Sequence, residues 1–153
     1  MTFKIKNSLI SGFINWLSIQ SLKGSYSRSR TRFVKVLQAR VKEYKDFLLE
    51  LVEKYVEKDE KGKVKIDKVN NYIFKNDKDR EAYIKESSEL MSEEFLLDIT
   101  DANKKDIDVV KKVTIETDYK FGPEKEMSTE QIIFSSRLAM EYNEWCEALE
   151  HIK

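Results

Sequence analysis

Residues 27–58 read SRSRTRFVKVLQARVKEYKDFLLELVEKYVEK, and within them Phe33, Leu37, Val41, Tyr44, Leu48, Leu51 and Tyr55 recur at steps of three and four. That spacing puts all seven on one face of an α-helix and writes a heptad-like seam, which Val34, Val36, Phe47, Val52 and Val56 widen. One helix of about 30 residues and roughly 45 Å follows from a rise of 1.5 Å per residue. Such a helix outruns the core of a small domain. Part of it is therefore expected to pack on a second copy, giving a homo-oligomer through the long helix, or on the terminal helix of the same chain.

The end of the chain offers that terminal helix. Ser128 and Gln131 fit a capping box, with Met127 and Ile132 at hydrophobic-staple positions. From there Phe134, Leu138, Tyr142, Trp145, Leu149 and Ile152 again step by three and four between acidic residues. Toward the other end, Ser8, Ser11, Gly12, Asn15 and Ser18 form a small-polar stripe on a helix over residues 8–20 whose remaining surface is apolar, so most of that helix must be buried. Phe3 and Ile5 alternate ahead of it as a short strand, and Gly24 marks a turn or C-cap.

Between the long helices the pattern shortens. Residues 59–62 form a turn, and Val64, Ile66 and then residues 72–74 suggest a loose hairpin. Asn76 and Asp77 supply an N-cap to a helix running to about Glu93, with Ala82, Tyr83, Ile84, Leu90 and Met91 inward. Phe95, Leu97 and Ile99 alternate, as do Val113, Ile115, Thr117, Tyr119 and Phe121, and each run reads as a strand. A turn at Gly122 and Pro123 closes the second run. No internal repeat, low-complexity tract or linker is visible. The expected fold is a single domain over residues 1–153, α+β and mainly helical, with a long central helix packed with a C-terminal helix and a small antiparallel sheet.

Composition narrows the function classes. In 153 residues there is one Cys and one His, against four Gly and one Pro. A disulfide framework, a Cys-based zinc site, a His-rich metal site and a His-based triad all need more than this, and phosphate-cradling loops need more glycine. No run reaches the roughly 18 apolar residues of a membrane span. The nearest, residues 9–17 behind Lys4 and Lys6, is interrupted by Asn15 and lacks a small-residue cleavage site, so the expected location is the cytoplasm, with no membrane partner.

The zero net charge conceals an asymmetry. Residues 1–42 hold nine Lys or Arg and no Asp or Glu, which leaves 19 of the 28 bases and all 28 acids in residues 43–153. Lys23, Arg28, Arg30, Arg32 and Lys35 concentrate this charge at the start of the long helix, where cations oppose the macrodipole and acidic residues would suit it. Arg28, Arg32 and Lys35 share one face. With the hydroxyls of Ser25, Ser27 and Thr31 they form a candidate binding surface for phosphate or for carboxylates. Nucleic-acid backbone contact, with stacking on Tyr26 and Phe33, is one reading. An acidic partner protein is a second, and pairing with the chain's own acids, among them Glu86, Glu89, Glu93, Glu94 and those of the last helix, is a third.

Acid and lysine also alternate at Glu116, Asp118 and Lys120, below Asp106 and Asp108, an arrangement that metal-dependent nucleases use. The solvent face of any half-buried strand looks the same. Cys146, Trp16 and Trp145 read as core or interface residues, and His151 falls in a last helical turn, where a cation suits the dipole. No catalytic constellation, metal site or cofactor site emerges, and the chain is expected not to be an enzyme.

The run LKGSYSRSRTRFVKVL at residues 22–37 resembles the signature of a family of small uncharacterised proteins from tailed phages and prophages of Gram-positive bacteria, in which an LKGxxSRxRT turn precedes a long helix. The similarity continues at residues 58–63, 71–77 and 89–94 and in the acidic terminal helix, whereas residues 100–126 depart from it. The resemblance implies a phage accessory protein in the host cytoplasm that modulates a host or virion protein by protein–protein interaction. It implies no catalytic residue. Nucleic-acid binding through residues 23–35 is the alternative function.

Overall fold

A computed structural model describes residues 1–116 and 129–152 as a strand β1 (Thr2–Lys6), helices α1 (Asn7–Ile19), α2 (Gly24–Tyr55) and α3 (Asp77–Ser92), a strand β2 (Glu94–Asp98), and helices α4 (Lys104–Ile115) and α5 (Thr129–Glu150). The fold is α+β and mainly helical. Strands β1 and β2 pair antiparallel, Lys4 opposite Leu96, as a two-stranded sheet. Phe3 and Ile5 point into the core while Lys4 and Lys6 face out, the alternation that a one-sided sheet requires. Among the described residues no helix is long and apolar enough to cross a membrane.

The core lies where α1, the first half of α2, α4 and α5 meet. Phe13 of α1 stacks on Trp145 of α5 with ring centroids 5.2 Å apart, and Phe33 of α2 meets Phe3 and Phe13 edge-on at 5.5 and 6.1 Å. Such offset and T-shaped pairs are the arrangements that ring quadrupoles favour. Gly12 lets α5 come close: a Cβ there would stand 3.1 Å from the Trp145 ring and nearer still to the Glu141 carboxylate. Trp145 donates its indole N–H to the Leu9 carbonyl at 3.2 Å. Trp16 and Trp145 are thus core anchors, and Cys146 is half-buried beside them.

The long helix keeps its expected length, and within the chain part of its overhang is covered while Phe47 and Leu49 stay exposed. Helix α5 joins the core against α1 and α4, while the part of α2 beyond that core is covered by α3. A polar joint fixes the crossing. The buried Asn7 donates from Nδ2 to the Leu90 carbonyl at 2.7 Å and accepts from Arg40 Nε at 2.8 Å, and Arg40 also reaches Glu43 and Glu93.

Three readings change. Val113 and Ile115 belong to helix α4 and not to a strand, because their spacing of two sits inside an older pattern of three and four through Ile107, Val110 and Thr114, all buried. Packing against α2 and α5 overrides the β-branched composition. Thr117, Tyr119 and Phe121, the turn at Gly122 and Pro123, and the capping box and staple at Met127, Ser128, Gln131 and Ile132 fall outside the described side chains. Ile84, expected inward, is half exposed.

The third change concerns residues 57–75, where an eight-residue repeat exists after all. Glu57 donates its N–H to the Ile73 carbonyl, Ile73 to Lys65, and Lys65 to Glu57, at 2.8, 3.0 and 2.8 Å. Three short segments centred eight residues apart thereby close on one another as a β-triangle. The two loops that join them are alike. Asp59 and Asp67 open each turn and accept backbone N–H bonds from two and four residues on, at 2.8 and 2.9 Å in both loops. Gly62 and Asn70 then take a left-handed backbone, at φ 76° and 64°. A type I turn followed by a left-handed residue is a common way to make a tight hairpin. The triangle seats on the end of α2, where Lys75 Nζ donates to the Lys54 carbonyl at 2.7 Å and so satisfies a helix-terminal acceptor.

Candidate interaction surfaces

The basic turn at the start of α2 divides into engaged and free cations. Gly24, at φ 59°, turns the chain from α1 into α2 without the steric cost a side chain would carry. Arg30 then folds back and donates to the Gln20 carbonyl at 2.6 Å and to the Leu17 carbonyl at 3.4 Å, which closes the C-terminal end of α1. Arg32 grips Asp106 of α4 through two hydrogen bonds, Nε to Oδ2 at 2.7 Å and Nη2 to Oδ1 at 2.5 Å. The bond from Arg32 holds the Asp106 carboxyl below the usual carboxylate range against the opposing effect of burial, with help from Ser29. Two arginines of the turn are therefore structural, and the acid that meets Arg32 is on α4, not among the glutamates of α3 or the last helix.

Lys23, Arg28 and Lys35 are exposed and make no hydrogen bond or ion pair among the described residues. Helix α4 extends this surface. Lys104, Lys105 and Lys112 line a shallow groove with Tyr26, and the Lys112 ammonium lies 6.0 Å from the centre of the Tyr26 ring. Asp101 and Asp108 line the same groove, and Asp108 pairs with Lys104 at 2.9 Å.

The acidic positions weighed for metal chemistry do not converge. Asp106 is turned to Arg32, Asp108 to Lys104, and Glu116 sits 4.0 Å from Lys112 at the end of α4. Asp118 and Lys120 lie outside the described residues. Among the described residues no group of three or more His, Cys, Asp or Glu could hold a metal ion. Burial pushes the Cys146 thiol up, away from the reactive thiolate.

The second surface was not singled out from the sequence. Where the β-triangle leans on the start of α3, a cleft of about 620 Å³ opens between Tyr72 and Phe74 on one side and Arg80, Tyr83 and Ile84 on the other. Tyr83 meets Tyr72 edge-on at 6.0 Å and Phe74 at 5.2 Å. Asn76 fixes the mouth of α3 by accepting from the Asp79 N–H at 2.8 Å. Tyr72 and Ile84, which line the cleft, are exposed, as are Ile66, Val69 and Ile73 elsewhere in the β-triangle, Val69 most of all at 73%; Asp67 and Asp77 also line the cleft. The signal that could have found this surface is the period of eight, Asp59 with Gly62 against Asp67 with Asn70, which forces the apolar residues between and after the loops out to the tip.

Comparison of the chain with known protein families, with curated proteins and with solved structures found no match.

Proposed function

We propose that this protein is a non-enzymatic interaction protein that docks on another protein, in the setting suggested by its resemblance to phage accessory proteins: a host or virion protein in the host cytoplasm. The observation that carries this reading is the exposed apolar tip formed by Ile66, Val69, Tyr72, Ile73 and Ile84. Large apolar side chains left exposed in this number favour an interaction role, because leaving them in water is unfavourable and covering them is not. The tip is attached at the end of α2, away from the aromatic core, so it is free to be covered.

A photo-crosslinking residue placed at Val69 in cells of the host class, a Gram-positive bacterium, tests the reading. A discrete crosslinked protein is expected from Val69 and not from Leu49, another exposed apolar position, on α2. No product from Val69, or the same products from both positions, overturns it.

Nucleic-acid binding is the second reading, favoured by one observation: the lysines of α4 stand beside Tyr26 and next to the free cations of the basic turn. It ranks second because Arg30 and Arg32 are already engaged by the chain's own carbonyls and by Asp106. Titration into single- and double-stranded DNA and RNA at low and moderate salt, with an Arg28→Ala, Lys35→Ala variant alongside, separates the two readings, since phosphate contacts weaken steeply with salt.

A further inference from the structure

The cleft between the β-triangle and α3 brings aromatic rings and hydrogen-bonding groups to one place, and the balance of its charges narrows what it would hold. Tyr72, Phe74 and Tyr83 form one side of it. Tyr72 is 41% exposed, and the exposed Ile84 continues the apolar strip along α3. Tyr72 and Phe74 stand at 76° and 49° to the Tyr83 ring, so the three rings make a corner and not a parallel slot.

The polar lining divides into occupied and free groups. Asp67 accepts the N–H groups of Val69 and Asn71 at 2.8 and 2.9 Å and the Asn71 amide at 3.3 Å, and the Asn71 N–H above all holds its carboxyl below the usual range. Asn76 is occupied by Asp79 through both ends of its amide. What remains is the Asp77 carboxylate, the Arg80 guanidinium, the Asn71 side-chain carbonyl and the hydroxyls of Tyr72 and Tyr83, none of which makes a hydrogen bond or ion pair among the described residues. Burial pushes the Tyr83 hydroxyl up, so it keeps its proton and can donate. The free groups thus include acceptors, donors and hydroxyls that do both, while their one carboxylate and one guanidinium cancel in charge.

We propose that this cleft binds a neutral saccharide, with the C–H face of one sugar ring against Tyr72 and Tyr83 and its hydroxyls on Asp77, Arg80 and the Asn71 carbonyl. The C–H groups on a sugar face are electropositive and meet the negative face of an aromatic ring, and neighbouring hydroxyls need donors and acceptors side by side. Bonds to a carboxylate and a guanidinium are the strong ones, so these two residues fix orientation. A charged ligand would bring like charge to one of the two. A nucleobase gains most from a parallel ring, which the corner does not supply, whereas a puckered sugar ring fits a corner. The volume of about 620 Å³ lies in the range of small-molecule sites and holds a short oligosaccharide. Glycoside hydrolysis canonically uses two carboxyl groups, and with Asp67 occupied by its own loop only Asp77 is free here, so the site is one of binding and not of cleavage. Ile66, Val69 and Ile73 do not line the cleft, so this site goes beyond the protein-docking reading and stands apart from it.

Screening of the full chain on an array of neutral glucan, galactoside and N-acetylhexosamine oligomers beside sialylated and sulfated ones, followed by NMR titration of the best neutral binder at low and moderate salt, tests the proposal. A neutral oligomer is expected to bind with a Kd of about 1 mM or tighter, with no dependence on salt. Affinity is expected to fall about tenfold or more in Tyr72→Ala, to fall in Asp77→Asn and in Arg80→Ala, and to stay unchanged in Val69→Ser. Tyr72, Asp77 and Arg80 are all exposed, so the variants should fold as the parent does, which thermal unfolding checks. Binding of no neutral oligomer, binding of the anionic ones alone, loss of binding at moderate salt, displacement by an unstructured oligothymidine, or full affinity in Tyr72→Ala each overturns the proposal. Any of these results leaves a crosslink at Val69, and the docking reading with it, standing. A missing Val69 crosslink beside tight neutral-sugar binding would remove the docking reading and keep the saccharide site.

Discussion

The two ends of α2 are stabilised in opposite ways. Around its first half, side chains hold the fold: Phe3, Phe13, Phe33, Trp16 and Trp145 are buried together. Around its last turn, backbone holds the fold. The β-triangle closes through reciprocal N–H to carbonyl bonds and two aspartate-gripped loops, and five of its large apolar neighbours remain in solvent. The core end also leaves single apolar side chains exposed, among them Ile19, Leu96 and Met140. A region built by backbone pairing leaves its side chains available, and closure into a triangle gives each short segment two partners. The difference places the burial at one end and exposed apolar side chains on a backbone-paired unit at the other.

The sharpest way to break this contrast is to remove a core ring. Trp145→Ala deletes the side chain that stacks on Phe13 and donates to the Leu9 carbonyl, and large aromatic truncations in cores cost about 3–5 kcal/mol. In a domain of this size that is a fall in Tm on the order of 10 °C. Thermal unfolding by circular dichroism reads it, and a fall of only a degree or two would mean that α5 is not part of the core.

The clasp between α2 and α4 tests whether the basic turn belongs to the stable end. In the unfolded chain the Asp106 carboxyl releases its proton near the ordinary value of about 3.9. In the fold Arg32 holds it lower, so the unfolded state binds more protons in acid and stability rises with pH through that range. The contribution is complete above about pH 4 and is lost as pH falls through the depressed folded value. Asp106→Asn is expected to lower Tm by several degrees at neutral pH and to flatten the acid side of the Tm against pH curve. A curve parallel to the parent's would show that the pair contributes nothing.

Legibility followed the same division. Helices α1 and α2, the two strands of the small sheet and the N-cap at Asn76 were readable because apolar spacing and capping chemistry are local and repeated, whereas which strands pair was not. Helix α4 was misread where its β-branched residues happened to alternate, since a spacing of two over Val113 and Ile115 is also a fragment of a helical pattern. Of the candidate site, the cluster of basic residues was visible but its division was not. Nothing near Arg30 or Arg32 in sequence announces the α1 carbonyls or Asp106, because both contacts are made only when distant elements meet. The tip was missed for a different reason. Its repeat is carried by turn residues, Asp and Gly against Asp and Asn, and hydrophobic periodicity does not register those.

The smallest expected effect sharpens that last point. If the β-triangle is held by its two matching loops, then stability at the tip should depend on backbone conformation and hardly at all on side-chain bulk. Gly62 and Asn70 occupy equivalent left-handed positions with open space around Gly62, so Gly62→Ala changes conformational cost without creating a clash. The expected loss is about 1 kcal/mol, or 2–4 °C in Tm, whereas Asn70→Gly, which relaxes the same strain in the other loop, should leave stability within about 0.5 kcal/mol of the parent. Hydrogen exchange at Lys65 and Ile73 reads the effect locally, since their amides donate within the triangle. Faster exchange at both in Gly62→Ala would show that one loop governs the whole ring of bonds. Faster exchange at Lys65 alone would show that the triangle opens one side at a time, and the cleft beside α3 would then keep its shape when the first loop is weakened.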